Sequence, residues 1–254
     1  MTTPFQPVIL RFESVDSTNL EAMRQAKAGA AEGLCIVARE QMHGRGRLDR
    51  GWHSPKDAGL YFSIVLRPQL QIEAWPLITL MTALSVSDAL FKSCNLRVDI
   101  KWPNDICLGD HKLGGILAET IETQTGLTAI VGIGLNLNKV PFPAELGERA
   151  VSVESAIGCK PDHELVLQKL IEAVGERYDL LQSSGGPEHT AREWCASSTY
   201  ATGRRVRVSM LNDAFEGVTR GLESDGALRV ETANGKIRIV RAGDVAALRG
   251  MADW

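Results

Sequence analysis

The sequence predicts an α+β protein in two parts, a larger domain over residues 1–200 and a small domain over residues 201–254. In the first part, apolar runs typical of strands alternate with segments whose apolar residues recur with the period of a helix. After Gly203 only short strand-like runs remain, separated by turn dipeptides such as Asp-Gly and Asn-Gly. Short strands joined in this way are typical of a small barrel of the SH3 type.

Each strand-like run is bounded by turn residues. The runs are residues 8–13, 34–40, 59–66, 96–101, 106–108, 112–119 and 129–138 in the larger domain, and 204–210, 215–222, 228–232, 237–240 and 245–248 in the small one. The small domain has its turns at Asn212-Asp213, Asp225-Gly226 and Asn234-Gly235.

Four helices are predicted in the larger domain. The first begins at a capping box formed by Thr18 and Glu21, with Asp16 and Ser17 as alternative caps, and the second is a long apolar core helix that starts near Pro76. The third is an amphipathic helix over residues 162–182, and a short fourth one ends at Cys195. The segment SSGGP between the last two is interpreted as a linker.

Composition and charge are those of a globular protein. The chain has 254 residues, 44% of them hydrophobic, and a formal net charge of −3, which argues against general attraction to nucleic acid or anionic membranes. Five cysteines without a CxxC pair and no signal peptide favour a reduced, cytoplasmic protein. Since no apolar run approaches the roughly 20 residues of a membrane span, no membrane association is expected.

The segment Gln41–Ser54, with the sequence QMHGRGRLDRGWHS, is interpreted as an anion-binding loop. Its glycines let the backbone approach a ligand, and its three arginines present planar forks of donors that match carboxylate and phosphate oxygens. Two other interpretations stay open for this segment by itself, namely a solvated mobile connection and a nucleic-acid-binding patch.

Several familiar motifs are absent from the sequence. No GxxxxGK[ST] is present, and the near match to GxGxxG that begins at Gly44 fails because Asp49 stands in its third glycine position. His43 and His53 have no accompanying carboxylate cluster, so no direct metal site is expected.

Six segments in order resemble the biotin protein ligase family. They are Ser17-Thr18-Asn19, Gln41 before GRGR, Trp52, KWPND at residues 101–105, KLGGILAE at residues 112–119 and GIGLN at residues 132–136. The resemblance implies a mixed β-sheet backed by helices, of the class II synthetase type shared with lipoate ligases, and an SH3-like C-terminal domain. It also implies an ATP-dependent ligase that forms biotinyl-5′-AMP and transfers biotin to a lysine of a biotin carboxyl carrier protein. Magnesium would arrive with ATP.

The same resemblance assigns roles to individual residues. Those expected to bind biotin are Ser17, Thr18, Asn19, Gln41, Gly44, Arg45, Gly46, Arg47, Lys101, Gly114 and Gly115. Those expected to bind ATP or the adenylate are Arg47, Arg50, Trp52, Asn104, Lys112, Gly134 and Asn136. Lys101, Arg45 and Arg47 are expected to be the catalytic cations. Gly114, Gly115, Gly132 and Gly134 are expected to leave room for the ligand on the face of the sheet.

Two features depart from the usual pattern of this family. Asp49 replaces the glycine of GRGRxGRxW; either it adopts the left-handed conformation that the turn requires, or it pairs with Arg50. Only seven residues precede the first strand, which leaves no room for a DNA-binding winged helix, so the chain is expected to be a short form without operator binding.

Alternatives to the biotin interpretation stay open at this stage. Lipoate or octanoate ligases share the catalytic fold, although the GRGR and KWPND segments favour biotin. A non-enzymatic alternative is a nucleic-acid-binding module that uses the Arg/Gly loop. Self-association as a homodimer, and the role of the C-terminal domain in binding ATP or the carrier, are not readable from the sequence.

Overall fold

A seven-stranded mixed sheet forms the larger part of the chain. The structure is a computed structural model that describes residues 6–210 and 213–247. The strands are β1 (Val8–Phe12), β2 (Leu34–Ala38), β3 (Gly59–Leu66), β4 (Asp99–Lys101), β5 (Asp105–Leu108), β6 (His111–Thr123) and β7 (Gly126–Asn136). Their order in the sheet is β1-β2-β3-β7-β6-β5-β4. Only the β1–β2 pair is parallel among these neighbours, which makes the sheet mixed, as the sequence predicts.

Helices pack on both faces of the sheet and form two apolar clusters with it. They are α1 (Thr18–Lys27), α2 (Pro76–Cys94), α3 (Val153–Ile157), α4 (His163–Gln182) and α5 (Gly186–Ser197). The strand β3 is buried along its whole length because α1 packs on one of its faces, the cluster that contains α2 and α4 packs on the other, and β2 and β7 flank it. The short helix α3 was not predicted from the sequence, since five residues are too few to show a helical period.

The C-terminal residues form a second, antiparallel sheet. Its strands are β8 (Thr202–Met210), β9 (Asp213–Leu222), β10 (Leu228–Glu231), β11 (Ile237–Val240) and β12 (Asp244–Ala247), in the order β11-β10-β9-β8-β12. The α+β class with a small C-terminal β domain is therefore confirmed. Asn212, in one predicted turn, and Leu248, at the predicted end of the last strand, lie outside the described residues.

One buried apolar cluster is shared by both sheets. It includes Leu77 and Leu80 of α2 as well as Val206, Leu228 and Val230 of the C-terminal strands. The indole Nε1 of a buried tryptophan, Trp102, donates to the carbonyl of Gly226 at 3.0 Å across the same boundary. The two parts of the chain are thus packed against each other rather than merely tethered.

The helix α2 corrects one expectation about apolar segments. By length and composition alone, the segment Ile72–Cys94 is apolar enough to cross a membrane, contrary to the sequence-based expectation. Most of this apolar segment is buried inside the domain, where it packs against α4 and the sheet. We therefore interpret it as the core helix of a globular protein.

The predicted capping box at the start of α1 is wrong. Ser17 is the N-cap residue, but its side chain makes no capping hydrogen bond. The hydroxyl of Thr18 lies 3.1 Å from the Gln41 side-chain oxygen, and the carboxylate of Glu21 accepts from Gln25 instead of turning back to the cap. The contact of Thr18 with Gln41, a residue far away in sequence, thus takes the place of the predicted pairing between Thr18 and Glu21.

The SSGGP segment is a tight turn rather than a linker. The helix α4 ends at Gln182, and α5 already begins at Gly186, whose N–H donates to the Ser183 carbonyl at 3.0 Å. A Cβ at Gly186 would lie 2.1 Å from the Leu180 carbonyl oxygen. Glycine is present here because the two helices approach closely, not because the chain needs to be flexible.

Candidate active site

A cavity of about 640 Å³ lies on the open face of the larger sheet, beneath the loop of residues 41–54, which we call the lid loop. Among the predicted site residues, those that line the cavity are Ser17, Thr18, Asn19, Gln41, Arg45, Gly46, Arg47, Arg50, Trp52, Lys101, Asn104, Lys112, Gly115, Gly134 and Asn136. Gly44 and Gly114 are not part of its lining. The structure thus gathers nearly all of the candidates in one place.

Uncharged polar groups meet at one end of the cavity, which we call the head end. Gln41 accepts hydrogen bonds from the backbone N–H of Thr18 at 2.9 Å and from its hydroxyl at 3.1 Å. Ser63 Oγ lies 2.7 Å from Thr18 Oγ1 and 2.6 Å from Asn19 Oδ1. These contacts share two hydroxyl hydrogens, so when Ser63 donates to Asn19 and the Thr18 hydroxyl donates to Ser63, Gln41 accepts only from the Thr18 backbone N–H. These groups suit a neutral ligand that carries its own donors and acceptors.

The side chain of Asn19 is held by the protein on three sides. Its Nδ2 donates to the Leu117 carbonyl at 3.1 Å and to the Glu119 carboxylate at 2.8 Å, while Oδ1 faces Ser63. Both of its N–H donors are therefore committed to β6. Only the remaining lone pair of Oδ1 is left for a ligand, which narrows the role that the sequence predicts for this residue.

The lid loop is closed by hydrogen bonds between its two arms. Gln41 N–H donates to the Ser54 carbonyl at 3.2 Å, and Gln41 Nε2 donates to Ser54 Oγ at 2.8 Å. Farther along, Trp52 N–H donates to the Gly44 carbonyl at 2.8 Å. A Cβ at Gly44 would lie 2.3 Å from the Trp52 carbonyl oxygen, so this glycine permits closure of the loop rather than ligand contact.

Asp49 takes the first of the two conformations considered above. Its φ is 57°, in the left-handed region, within a short 3-10 turn over Arg47–Asp49. Arg50 forms its ion pair with Asp244 of the C-terminal sheet, not with Asp49. The turn therefore survives the replacement of glycine, and Arg50 is turned toward the second domain.

Each arginine of the lid loop has a different partner. Arg45 forms a two-point ion pair with Glu119, at 2.9 and 3.2 Å. Arg47 Nη1 donates to Asn104 Oδ1 at 3.3 Å, and its Nη2 donates to the Gly243 carbonyl at 3.2 Å. Burial lowers the pKa of Arg47, but arginine stays protonated in proteins, so it brings a partly desolvated positive charge to the cavity.

The indole of Trp52 lies over the part of the sheet that carries two of the glycines. A Cβ at Gly134 would be 2.4 Å from Trp52 Nε1, and one at Gly115 would be 3.7 Å from Trp52 Cζ3. The Nε1 atom is buried and has no hydrogen-bond acceptor among the described residues. A donor in that state costs free energy unless an acceptor reaches it, and because the atom is closed off from the cavity in this conformation, a ligand oxygen would reach it only if the indole shifts.

The other glycines also have protein groups in front of them. A Cβ at Gly132 would meet Asn19 Oδ1 at 2.1 Å, and one at Gly114 would meet the Leu135 side chain at 2.5 Å. The expectation that all four glycines leave bare space for a ligand is therefore wrong as stated. Gly132 and Gly134 line the cavity but make room for Asn19 and Trp52, whereas Gly114 makes room for Leu135, a side chain of the core.

Two lysines reach the cavity from different directions. Lys112 forms an ion pair with Asp105 at 2.5 Å, and its Nζ lies 5.6 Å from the centre of the Trp52 ring. Lys101, at the end of β4, has its Nζ 5.9 Å from the Tyr200 ring. Lys112 is therefore the lysine that lies beside the Trp52 indole. The sequence predicts only a contact with ATP for this residue.

Asn104 and Asn136 fix the frame of the cavity by bonding to backbone groups. Asn104 Nδ2 donates to the Ile116 carbonyl at 2.7 Å, and Asn136 Nδ2 donates to the Val151 carbonyl at 3.1 Å. The second bond holds the end of the 139–150 loop, which supplies Phe142, Leu146 and Arg149 to the cavity wall. In the described residues these two asparagines act chiefly as supports.

Sequence reasoning missed several members of the site. Ser63 is the one hydroxyl in the otherwise apolar run GLYFSIVL, and Glu119 falls on the same strand face as Gly115 by alternation, so both carried a signal. Asp105 stands inside the KWPND segment, where its charge next to a lysine was a further signal. Asp244 had none, because it is 194 residues away from Arg50 in sequence.

Fold and cavity together define a class of protein: a ligase-type domain on a mixed sheet, followed by a small β domain. Residues 11–136 match the model of the biotin/lipoate A/B protein ligase family, and residues 202–247 match that of the biotin protein ligase C-terminal domain. The chain belongs to the biotin/lipoate A/B protein ligase family. Within this family, the C-terminal match and the relatives described next place it with the biotin protein ligases.

Similar proteins come from several bacteria. The bifunctional ligase/repressor BirA of Bacillus subtilis is 34% identical, covering 92% of this chain and 72% of that protein. The biotin–[acetyl-CoA-carboxylase] ligase of Paracoccus denitrificans is 34% identical, covering 91% of this chain and 96% of that protein. The solved biotin protein ligase of Aquifex aeolicus in complex with biotin and ATP has a TM-score of 0.81 and 29% identity, covering 95% and 99% of the two chains.

Proposed function

We propose that this chain is an ATP-dependent ligase that activates biotin as biotinyl-5′-AMP and transfers the biotinyl group to a lysine of a biotin carboxyl carrier protein. One observation carries the proposal. A single cavity has uncharged hydrogen-bonding groups at its head end and several cations farther along, among them Arg47, Lys101 and Lys112. A neutral ring system with a carboxylate tail fits such a division, and a phosphate fits beside the cations.

The first step joins the two substrates. A biotin carboxylate oxygen attacks the α-phosphorus of ATP, a P–O bond forms, and the bond to the leaving pyrophosphate breaks. Both reactants are anions, so fixed cations lower the barrier by offsetting the charge that gathers between them. Arg47 is suited to this because it is partly desolvated and held by Asn104 and by the Gly243 carbonyl.

The second step transfers the acyl group. The carrier lysine, as the neutral amine, attacks the acyl carbon, AMP leaves with the electron pair of the C–O bond, and the nitrogen loses its proton. The mixed anhydride must be shielded from water until then, and a loop that closes over the cavity can provide this. The lid loop has the required position, because its arginines reach β6 on one side and β12 on the other.

The two lysines are proposed to differ in role. Lys112 is paired with Asp105 at 2.5 Å, so its charge is partly balanced and we place it as a second contact to the anionic groups. Lys101 lines the cavity without an ion pair among the described residues, so we place it at the reacting carboxyl and phosphate groups, in the catalytic role that the sequence predicts. We expect Lys101→Ala to lower pyrophosphate exchange more strongly than Lys112→Ala, with biotin binding reduced less in both. The reverse order would give the central role to Lys112.

The remaining partners follow from the same chemistry. Magnesium would come with ATP, because Mg²⁺ is usually held by substrate phosphates together with one or two carboxylates. A reduced compartment such as the cytoplasm suits the cysteines, since burial raises the pKa of the Cys35 and Cys107 thiols to about 12 and keeps them unreactive. Absence of DNA binding and a homodimeric state stay as separate proposals, testable by gel shift and by light scattering.

Incubation with biotin, MgATP and a biotin-carrier domain, followed by intact mass measurement, tests the proposed function. We expect the carrier to gain one biotinyl group, and no gain would refute the proposal. Lipoate is the competing substrate, and titration calorimetry with biotin and with lipoate separates the two. The head end favours biotin, because its polar groups, including the remaining lone pair of Asn19 Oδ1, can hydrogen-bond to a ureido ring, which an alkyl dithiolane lacks.

A further inference from the structure

The lid loop and the head end of the cavity are connected by a closed series of side-chain contacts, which we call the polar ring. It starts at Gln41 and Ser54, the two ends of the lid loop, which are bonded to each other. From Gln41 it passes through Thr18 and Ser63 to Asn19. The ring thus begins in the lid loop and crosses the head end before it reaches β6.

Glu119 closes the ring on the other side. Its Oε2 accepts from Asn19 Nδ2 at 2.8 Å, and both of its oxygens contact the guanidinium of Arg45, in the first half of the lid loop, at 2.9 and 3.2 Å. The carboxylate is therefore shared between a head-end residue and a lid residue. Only 21% of the Glu119 side chain is exposed, so this pairing is screened less by water than a surface ion pair.

The pairing changes the role of Arg45. Its charge is already balanced by Glu119 at two points, so it is less available to a substrate anion than Arg47, whose hydrogen bonds go to an uncharged amide and a backbone carbonyl. A two-point pair between arginine and a carboxylate also fixes orientation, because the planar fork fits in one way. Arg45 thus serves as an attachment point of the lid loop rather than as a catalytic cation.

We propose that Glu119 is a positioning residue that holds the lid loop, through Arg45, over the head end of the cavity and so retains the acyl-adenylate. The inference rests on the proposed function and adds to it a residue and a role that the catalytic assignments above do not contain. Since Glu119 also bonds to Asn19, the same carboxylate keeps the lid loop and the head end in one fixed relation.

Two variants separate the charge of Glu119 from its hydrogen bond. Glu119→Gln keeps an acceptor for Asn19 but replaces the charge that Arg45 requires, whereas Arg45→Gln removes the same pair from the lid side. We expect either variant to release preformed biotinyl-adenylate about fivefold faster or more, because a charge-assisted pair is lost, and to change biotin affinity by a smaller factor. Biotinylation of bystander lysines should rise in parallel.

The double variant tests whether the two residues act as one unit. If Glu119 acts through Arg45, Glu119→Gln combined with Arg45→Gln should release adenylate no faster than the single variants. Glu164→Gln is the matched control, because it breaks a two-point pair with Arg11, at 2.7 and 2.9 Å, that lies outside the cavity. Its adenylate release should stay at the wild-type rate.

The outcomes distinguish a failure of the proposed ligase function from a failure of the positioning role of Glu119. Radiolabelled adenylate is formed on each protein and chased with excess unlabelled biotin, and thermal unfolding is recorded alongside. A wild-type protein that forms no adenylate would overturn the proposed function and this inference with it. A competent wild type together with an unchanged release rate in Glu119→Gln, or with multiplied effects in the double variant, would overturn the positioning role alone. If Glu119→Gln does not fold, the release rate of Arg45→Gln decides, because that side chain is 37% exposed.

Discussion

Replacing Trp52 by phenylalanine should separate the stability of the fold from ligand binding. The indole Nε1 is buried without an acceptor among the described residues, and it faces Gly134 at the cavity wall. Phenylalanine keeps an aromatic ring over the same glycine and removes only the donor and part of the ring. The change therefore removes a donor that destabilises the free protein and that we expect to stabilise the complex with the ligand.

The expected magnitudes follow from that geometry. Burying an unpaired donor costs about 1 to 3 kcal/mol, so its removal offsets the packing that the smaller ring gives up, at about 0.8 kcal/mol per buried CH₂-sized group. The free energy of unfolding should stay within about 1 kcal/mol of wild type. A hydrogen bond to a charged ligand oxygen contributes about 1.5 to 3 kcal/mol, so affinity for an adenylate analogue should fall roughly 10- to 100-fold.

Calorimetric titration with a non-hydrolysable adenylate analogue, together with denaturant unfolding, measures both quantities. Trp75→Phe is the control, because Trp75 Nε1 already donates to the Leu70 carbonyl at 3.3 Å and the residue does not line the cavity. That variant should lose stability without losing affinity. Wild-type affinity in Trp52→Phe would show that no ligand atom accepts from the indole, and the reasoning about the orphaned donor would fail.

Further predictions concern the lid loop and one histidine. Arg47→Gly should let adenylate escape, so bystander lysines in a mixed-protein assay become biotinylated; unchanged acceptor selectivity would contradict this. Amide exchange should be faster at residues 42–53 without ligand than with adenylate, and equal protection would argue against a mobile lid. Asp49→Gly should alter adenylate release by less than about twofold, since φ at this position is 57° and suits glycine, and a larger change would point to a side-chain role for Asp49. Burial lowers the pKa of His163, so the unfolded chain binds a proton that the folded chain resists, and stability should fall as pH drops below about 6.5. His163→Gln should flatten the loss of unfolding free energy between about pH 7 and 5, and an unaltered slope would assign the loss to other groups.

Local chemistry made much of the fold predictable. The bounds of β3 and β11 were read correctly because apolar runs between turn residues have few alternatives. The end of β6 was predicted four residues too early, since its outer half is partly exposed and carries polar side chains. For β7, the predicted range 129–138 begins three residues too late and ends two residues too late. Alternation gives the face of a strand but does not show where its pairing stops.

What escaped prediction depends on contacts between distant residues. The capping box at Thr18 failed because Gln41, 23 positions away, takes its hydroxyl. Glycines were interpreted as bare space for a ligand, but Asn19, Trp52 and Leu135 occupy the places that their missing side chains leave. A glycine in the sequence indicates that the position has no room for a side chain, and only the folded chain shows which atom occupies that room.

The apolar cluster shared by the two sheets also bears on how the molecule folds. Because Val206 and Val230 of the C-terminal strands are buried together with Leu77 and Leu80 of α2, neither part completes its interior alone. Heating should therefore melt the chain in a single cooperative transition, and a shortened chain that ends before β8 would expose an apolar surface prone to aggregation.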